Sequence, residues 1–164
     1  MSEEHVAYMQ AALEEANKAA AADEVPIGAV IVNKASGEIV ARGFNTTRMD
    51  FDPTAHAEIN AIRALAKQLG AQRIPDHDLY VTLEPCPMCA SAISFARISR
   101  VIYGADDAKS GGLSVIEGPN LYSKAALHHK PEVISGHLAD ECGTIIRDFF
   151  KAKRKAKQVY SYEK

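Results

Sequence analysis

The segment that decides the fold runs from Leu79 to Gly104 and reads LYVTLEPCPMCASAISFARISRVIYG. Its apolar start, Leu79 to Leu83, predicts a strand; Pro87 to Ala96 predicts a helix, and Val101 to Gly104 predicts a second strand. Two strands separated by one helix favour parallel pairing, because a helical crossover brings the chain back to the sheet in the same direction. The segment therefore predicts an α/β protein.

Upstream of this segment the sequence predicts a helix, a hairpin and a second helix. Residues 3–22 carry apolar side chains at intervals of three to four residues, which is typical of an amphipathic helix. Residues 27–32 and 38–44 are mainly apolar runs separated by a turn, and they predict an antiparallel hairpin at one edge of a sheet. A helix of about 14 residues then begins near Thr54, the expected N-cap, and ends at Gly70.

Downstream of the segment, the loop from Ala105 to Pro119 has a length typical of functional or mobile loops. Residues 132–134 predict a short strand, and a closing helix begins at Leu138. The chain has 164 residues, which is the size of one domain. We therefore predict a single domain over residues 1–150, followed at residues 151–164 by a basic helix end or tail.

Composition and charge limit the class of protein. Hydrophobic residues make up 47% and charged residues 24% of the chain, which are average values for globular proteins. The 19 Lys and Arg against 21 Asp and Glu give a net charge of −2, so nucleic acid binding requires a local basic patch. The longest mainly apolar stretch, Val25 to Val32, is far shorter than the roughly 20 residues that span a bilayer. Three cysteines and an N-terminus without a secretory pattern predict a reduced, cytoplasmic protein.

Two short motifs stand at the starts of two successive predicted helices. They are TAHAE at residues 54–58 and LEPCPMC at residues 83–89. Cys86 and Cys89 share one helical turn, so both sulfurs can face one ion, and the helix N-terminus favours their thiolate forms. Together with His56 they offer three ligands of the kind that zinc prefers and leave its fourth position to water. The motifs therefore predict a zinc site.

Glu58 is the candidate catalytic residue beside that site. At a helix tip, its carboxylate can lie next to the water while His56 binds the ion. It can take a proton from the water, protonate a ring nitrogen and help ammonia leave. Such a site attacks the carbon that bears an exocyclic amine, C6 of adenine or C4 of cytosine, and the pairing H-x-E with P-C-x-x-C is the known signature of zinc nucleobase deaminases. The motifs thus predict hydrolytic deamination.

These motifs resemble the zinc-dependent deaminases and, within them, the bacterial tRNA-specific adenosine deaminases, which convert adenosine to inosine at the wobble position. The resemblance extends over most of the chain, through residues 24–30, Asn45, residues 52–59, 79–89, 97–98, 104–111, 138–142 and 149–150. It implies a three-layer α/β/α cytidine deaminase-like fold with a central mixed five-stranded sheet. It also implies one zinc ion per subunit, bound by His56, Cys86 and Cys89.

The resemblance further implies roles for the substrate side of the site. It makes Glu58 the proton shuttle, Asn45 a pocket residue that contacts the nucleoside, and the backbone of Ala57 a contact to the base edge. Asp107 corresponds to the position that meets the ribose side of the substrate. The implied partners are a tRNA anticodon loop, or a small nucleoside or nucleobase, and a second copy of the chain in a homodimer whose pocket borrows residues from both subunits.

Three other functions are compatible with these residues. A deaminase of free nucleosides or bases, such as guanine, cytosine or adenine, would use segment 106–131 as a lid over a small pocket. A thioredoxin-like redox pair would leave His56 and Glu58 without a role. A non-catalytic module with a structural zinc would need a fourth ligand. The sequence offers four candidates for that ligand: His77, His128, His129 and Cys142.

A basic stretch follows Phe149 and Phe150. It carries five positive charges in seven residues: Lys151, Lys153, Arg154, Lys155 and Lys157. These cations are either a solvated helix end that complements the helix dipole or an arm that follows RNA phosphates. The sequence leaves both interpretations open.

Overall fold

The computed structural model describes residues 2–114, 119–123 and 127–162, with side chains through residue 157. Its helices are α1 (Glu3–Ala21), α2 (Ala57–Leu69), α3 (Pro87–Phe95) and α4 (Ala139–Tyr162). Its strands are β1 (Gly28–Asn33), β2 (Ile39–Phe44), β3 (His77–Leu83), β4 (Arg100–Ala105) and β5 (Glu132–Ser135). A short 3-10 turn covers Leu121–Ser123. Each predicted helix and strand lies within a few residues of its expected position.

The five strands form one mixed sheet in the order β2-β1-β3-β4-β5. Strand β1 pairs antiparallel with both β2 and β3, whereas β3, β4 and β5 pair in parallel. The hairpin β1–β2 therefore lies at one edge, and the helix α3 connects the parallel strands β3 and β4. Both arrangements confirm the predictions from the sequence, and the mixed five-stranded sheet confirms the implied fold.

Helices cover both faces of the sheet, because successive side chains of a strand point to opposite sides. Ile31, Leu79 and Val101 belong to the core cluster that also contains buried residues of α2 and α3. Val30 and Tyr80 belong to the second cluster, together with buried residues of α1 and α4. The molecule thus has three layers, with α1 and α4 on one face of the sheet and α2 and α3 on the other.

The N-terminus of α2 differs from the prediction. Thr54 is not the N-cap: its hydroxyl donates a 2.7 Å hydrogen bond to Oδ1 of Asp52, a local contact that competes with capping. His56 is the N-cap instead, so the helix begins two residues later. The C-terminus is as predicted, because Gly70 adopts the left-handed conformation that ends helices, with φ of 63°.

Helix α4 is the longest helix and carries the basic stretch, since it continues to Tyr162. Its first turns pack on the sheet: Cys142 is completely buried, as a small side chain in the closing helix is expected to be, and lies against Gly104 of β4. Among the helices of the described residues, none is both long enough and apolar enough to span a bilayer.

Candidate active site

Two helix N-termini position the candidate metal ligands. His56 is the N-cap of α2 and Cys86 is the N-cap of α3, and neither side chain makes a capping hydrogen bond. Their side chains are therefore available to an ion. Pro87 occupies the first turn of α3, where its missing N–H costs no hydrogen bond. The N-terminal ends of both helix dipoles point toward the site and favour anionic ligands there.

The three ligand atoms lie at distances that fit one zinc ion. Nδ1 of His56 is 3.6 Å from Sγ of Cys86 and 3.4 Å from Sγ of Cys89. A tetrahedral zinc with ordinary Zn–N and Zn–S bonds separates its nitrogen and sulfur ligands by about 3.5 Å. Within the described residues, these three side chains are the only His, Cys, Asp and Glu group of this kind, with ligand atoms within 4.8 Å of one another. The donor set and its spacing fit zinc.

The four candidates for a fourth ligand have other positions. Nδ1 of His77 is 2.8 Å from the carbonyl oxygen of Pro75, and Nε2 of His129 is 2.6 Å from that of Ile98. Cys142 is buried in the opposite layer, and His128 is exposed. None of them joins His56, Cys86 and Cys89 in the metal-ligand group. This arrangement favours a three-ligand site over a closed structural one.

One of the three candidate ligands is already in the protonation state that binds metals. Sγ of Cys86 accepts a hydrogen bond from Cys89, and this bond lowers the pKa of Cys86 to about 4. The same hydrogen bond, together with burial, raises the pKa of Cys89. Hydrogen bonding to Cys86 raises the pKa of His56. Cys86 is therefore a thiolate at neutral pH, which is the form of cysteine that binds metals.

Glu58 lies beside this group, in the first turn of α2. Its side chain is buried, and burial raises the pKa of Glu58 to about 7. Its carboxylate also hydrogen-bonds with Cys89. A carboxylate with a pKa near neutrality can both accept and donate a proton, which is the property that general acid–base catalysis requires.

A cavity of about 860 Å³ opens beside His56, Glu58 and Cys86. We call the part of the cavity next to these residues the metal end. Drug-sized ligands occupy pockets of roughly 300–1,000 Å³, so this cavity holds more than a flat base. Its walls come from the two helix tips, the ends of β3 and β4, the loop of residues 106–114, which we call the cavity loop, and one face of α4. The α4 residues in the wall are Ala139, Gly143, Ile146, Arg147 and Phe150.

The three remaining predicted site residues occupy different places. Asp107 lines the cavity, and its Oδ1 accepts hydrogen bonds from the backbone N–H groups of Lys109 and Ser110. Asn45 is buried at the end of β2, and its backbone N–H donates to Ile27, a cavity residue. Ala57 is fully buried at the start of α2. Among the described residues, the side chains that line the cavity do not include Asn45 or Ala57.

Sequence analysis missed Glu84 and the part of α4 that forms the wall. Glu84 belongs to the LEPCPMC motif, and its buried carboxylate accepts three backbone N–H groups of the cavity loop. Ile146, Arg147 and Phe150 recur at helical spacing, but nothing in that spacing distinguishes a cavity wall from an ordinary core face. A glutamate that directly precedes proline and cysteine at a strand end was the available signal.

A basic groove continues from the cavity along α4. It has a volume of about 660 Å³ and shares four residues with the cavity: Lys109, Ile146, Arg147 and Phe150. Lys151 and Arg154 extend it; Asp148 also lines it. We use the name basic groove for the surface lined by these residues.

The basic stretch is divided between two faces of α4. Lys153 does not line the basic groove: its ammonium group pairs with Asp23 and lies 5.5 Å from the ring centroid of Phe149. Asp23 also pairs with Arg48 at 2.7 Å. One cation of the stretch thus fastens α4 to the end of α1, while Lys151 and Arg154 face the groove.

Comparisons with known proteins agree with this geometry. The family model of the cytidine and deoxycytidylate deaminase zinc-binding region matches residues 2–105. The tRNA-specific adenosine deaminase of Agrobacterium fabrum is 51% identical over 151 residues, covering 92% of this chain and 97% of that protein.

Two solved structures are also similar. One, from work on A-to-I editing by tRNA deaminases at the wobble position of transfer RNA, has 50% identity and a TM-score of 0.80, over 85% of this chain and 98% of that one. A guanine deaminase from Nitrosomonas europaea has 25% identity and a TM-score of 0.76, over 90% and 84% of the two chains.

A three-ligand metal group next to a buried carboxylate defines a hydrolytic metal centre. The chain belongs to the cytidine and deoxycytidylate deaminase family, whose zinc-binding region contains both motifs. The family, the zinc cofactor, the deaminase class and the fold that the sequence predicted are thereby confirmed.

Proposed function

We propose that this protein deaminates adenosine to inosine at the wobble position of a tRNA anticodon loop. The observation that carries the proposal is the continuity of the cavity with the basic groove, which share Lys109, Arg147 and Phe150. A free base would need only the metal end, whereas an RNA strand needs room for flanking nucleotides and cations for its phosphates. The similarity to tRNA-specific adenosine deaminases supports the same substrate. Such a substrate implies action in the cytoplasm.

His56, Cys86 and Cys89 would hold the zinc ion, because their donor atoms have the spacing that zinc requires. Bound zinc supplies Lewis acidity and makes hydroxide available at neutral pH. The two cysteines also carry the negative charge that compensates the ion once both are thiolates. These residues, from two helix N-termini, fix where that chemistry takes place.

Glu58 moves the protons of the reaction. Adenosine and water become inosine and ammonia: a C–O bond forms at C6 and the C6–N bond breaks. The Glu58 carboxylate takes one proton from water and delivers it to the adjacent ring nitrogen; it then carries the proton of the new C6 hydroxyl to the departing amine, which leaves as ammonia. Its pKa of about 7 suits both directions of transfer. Its burial keeps bulk water from competing for these protons.

Asn45, Ala57 and Asp107 would bind the nucleoside. We assign Asn45 to the nucleoside, the backbone of Ala57 to the base edge, and Asp107 to the ribose side. Asp107 uses Oδ1 for the turn at Lys109 and Ser110, which leaves Oδ2 for a ribose hydroxyl. A base in a single-stranded loop is reached at little cost, since it has no pairing partner to lose.

We also propose a homodimer, formed through the outer face of α2 and α3. Leu69 and Phe95, at the C-terminal ends of these helices, are 50% and 68% exposed, so a partner could cover two large apolar side chains there. The proposed interface thus uses the same two helices whose N-termini carry the candidate metal ligands. Sedimentation of the wild-type chain and of Phe95→Glu tests the proposal; a wild-type monomer would contradict it.

The test of the activity compares RNA with free bases. Purified protein with zinc is incubated with an anticodon stem-loop that carries adenosine at the wobble position, and inosine is measured. Parallel reactions with guanine, cytosine, adenine and their nucleosides are assayed for ammonia. We expect inosine in the RNA and little ammonia from the small compounds. Rapid deamination of a free base without inosine in the RNA would overturn the proposal in favour of a small-molecule deaminase.

A further inference from the structure

Glu84 lies in the turn between β3 and α3, which also carries Cys86, and connects this turn to the cavity loop. It follows β3 and lies two residues before Cys86. Glu84 is 2% exposed. Oε1 accepts the backbone N–H of Asp107 at 3.2 Å, and Oε2 accepts those of Leu113 at 3.0 Å and Ser114 at 2.9 Å. One buried side chain thus holds both ends of the cavity loop.

Two glycines bring the loop into direct contact with this turn. A Cβ at Gly111 would lie 2.1 Å from Oε2 of Glu84, so only glycine fits there without displacement of the carboxylate. The N–H of Gly112 donates to the carbonyl of Pro85 at 2.8 Å. The loop therefore lies directly on the residues that separate β3 from Cys86, with no side chain between them.

This contact determines part of the cavity wall. Asp107, Lys109 and Ser110 line the cavity from the same loop, and Lys109 also lines the basic groove. A buried carboxylate is unfavourable without hydrogen-bond donors, so the loop and Glu84 stabilise each other in one arrangement. The position of Asp107 and Lys109 relative to Glu58 and Cys86 thus depends on Glu84.

We propose that Glu84 is a positioning residue that holds the cavity loop in the conformation that receives the ribose and phosphates flanking the reacting base. The substrate named in this inference rests on the proposed function, whereas the contacts of Glu84 with the cavity loop do not depend on it. Glu84 acts through the loop and takes no part in proton transfer. Its loss should weaken substrate binding while the metal centre and the chemical step are retained.

The test is Glu84→Gln, which keeps the shape of the side chain and removes its charge. We expect KM for the anticodon stem-loop to rise about tenfold, since the amide keeps one acceptor oxygen while its NH2 group cannot accept the backbone N–H groups that faced the other carboxylate oxygen. We expect kcat to stay within about twofold and the zinc content to stay at one ion per chain. In hydrogen exchange, amides of residues 107–114 should exchange faster, again by about tenfold.

Glu24→Gln is the matched control. Glu24 is also buried, at 1% exposure, and its Oε1 accepts the backbone N–H groups of Arg48 and Met49 at 2.9 and 2.7 Å, in a loop outside the cavity wall. This variant should speed exchange at Arg48 and Met49 while KM stays unchanged. An equal rise of KM in both variants would overturn the proposal, because any buried glutamate would then have the same effect.

Gly111→Ala perturbs the same contact from the loop side and is available if Glu84→Gln does not fold. It should raise KM and speed exchange in the cavity loop with Glu84 intact. Unchanged KM, unchanged exchange at residues 107–114, or loss of zinc in either variant would overturn the proposal. If the wild-type protein forms no inosine, the proposed function fails, while the exchange measurement still decides whether Glu84 holds the loop.

Discussion

The two ends of the cavity are built in different ways. At the metal end, His56, Cys86 and Cys89 come from two helix N-termini, and their ligand atoms all lie within 4.8 Å of one another. At the other end, the wall combines the cavity loop with one face of α4, and the cations of the basic groove are mainly exposed. The residues for the chemical step and those for the proposed RNA binding thus come from different structural elements, so a substitution can disturb one without the other.

The largest effect is expected at the metal end, from Glu58→Gln. The amide retains the shape of the side chain but cannot take a proton from water, so kcat should fall by about a thousandfold or more. Zinc content and RNA affinity should be unchanged, since Glu58 is not among the candidate metal ligands. Retention of most activity would contradict the proton-transfer role. Glu15→Gln, a buried glutamate paired with Lys18 at 2.6 Å on α1, is the control.

A second prediction concerns the ion itself. Cys89→Ser replaces a soft sulfur by a hydroxyl in the completely buried member of the ligand group, so zinc affinity should fall by roughly a hundredfold. The measurement is zinc content by mass spectrometry against competing chelators. Cys142→Ser provides the control, because Cys142 lies in the opposite layer of the fold. Equal zinc loss in both variants would show that general destabilisation, not ligation, is responsible.

The third prediction addresses the recognition end. Lys151→Glu combined with Arg154→Glu reverses two exposed groove charges, so KM for the stem-loop should rise on the order of tenfold and its salt dependence should become shallower. The value of kcat, measured at saturating stem-loop, should change little. The control, Lys34→Glu with Lys67→Glu, changes the net charge equally at exposed sites outside the groove. If the control has the same effect, binding depends on overall charge and the groove has no special role.

The smallest effect concerns the residues just before α4, the helix that forms part of the cavity wall. His137 is buried, and its ring lies edge-on to His5 at 5.1 Å between ring centroids. Burial, assisted by the nearby His5, lowers the pKa of His137 below the ordinary value of 6.5. Stability from the neutral ring is therefore complete above about pH 6.5 and is lost as the pH falls through the lower folded-state pKa.

We expect the Tm of the wild-type protein to decrease by a few degrees between about pH 7 and about pH 5 because of this ring. His137→Gln removes the titrating group and should show a shallower decrease. His128→Gln is the control, since His128 is exposed. Parallel pH curves for wild type and His137→Gln would contradict the prediction.

The sequence predicted the metal end because its information is local. The motif at residues 83–89 places two sulfurs in one helical turn, and the motif at residues 54–58 places an imidazole and a carboxylate at another helix tip. The N-cap of α2 was misplaced for a local reason as well: the Thr54 hydroxyl donates to Asp52, and His56 takes the N-cap position. Errors of this kind shift an element by two residues without altering the site.

The cavity wall that the cavity loop and α4 form could not be predicted in the same way. The hydrogen bonds of Glu84 join residues 23 to 30 positions apart, and no periodic pattern marks them. The basic stretch shows the same limit, because its composition did not reveal that Lys153 pairs with Asp23 while Lys151 and Arg154 face the groove. These relations depend on how α4 lies against the rest of the fold.

The sequence by itself determined the α/β architecture, the two helix tips and the zinc chemistry, because each follows from residue types at short spacing. Only the tertiary structure decided how the cavity loop is held on Glu84, which cations belong to the basic groove, and how far the cavity extends beyond the metal. Ligand geometry within a helical turn is fixed by local backbone rules. The shape of a cavity between distant segments is fixed only when those segments pack together.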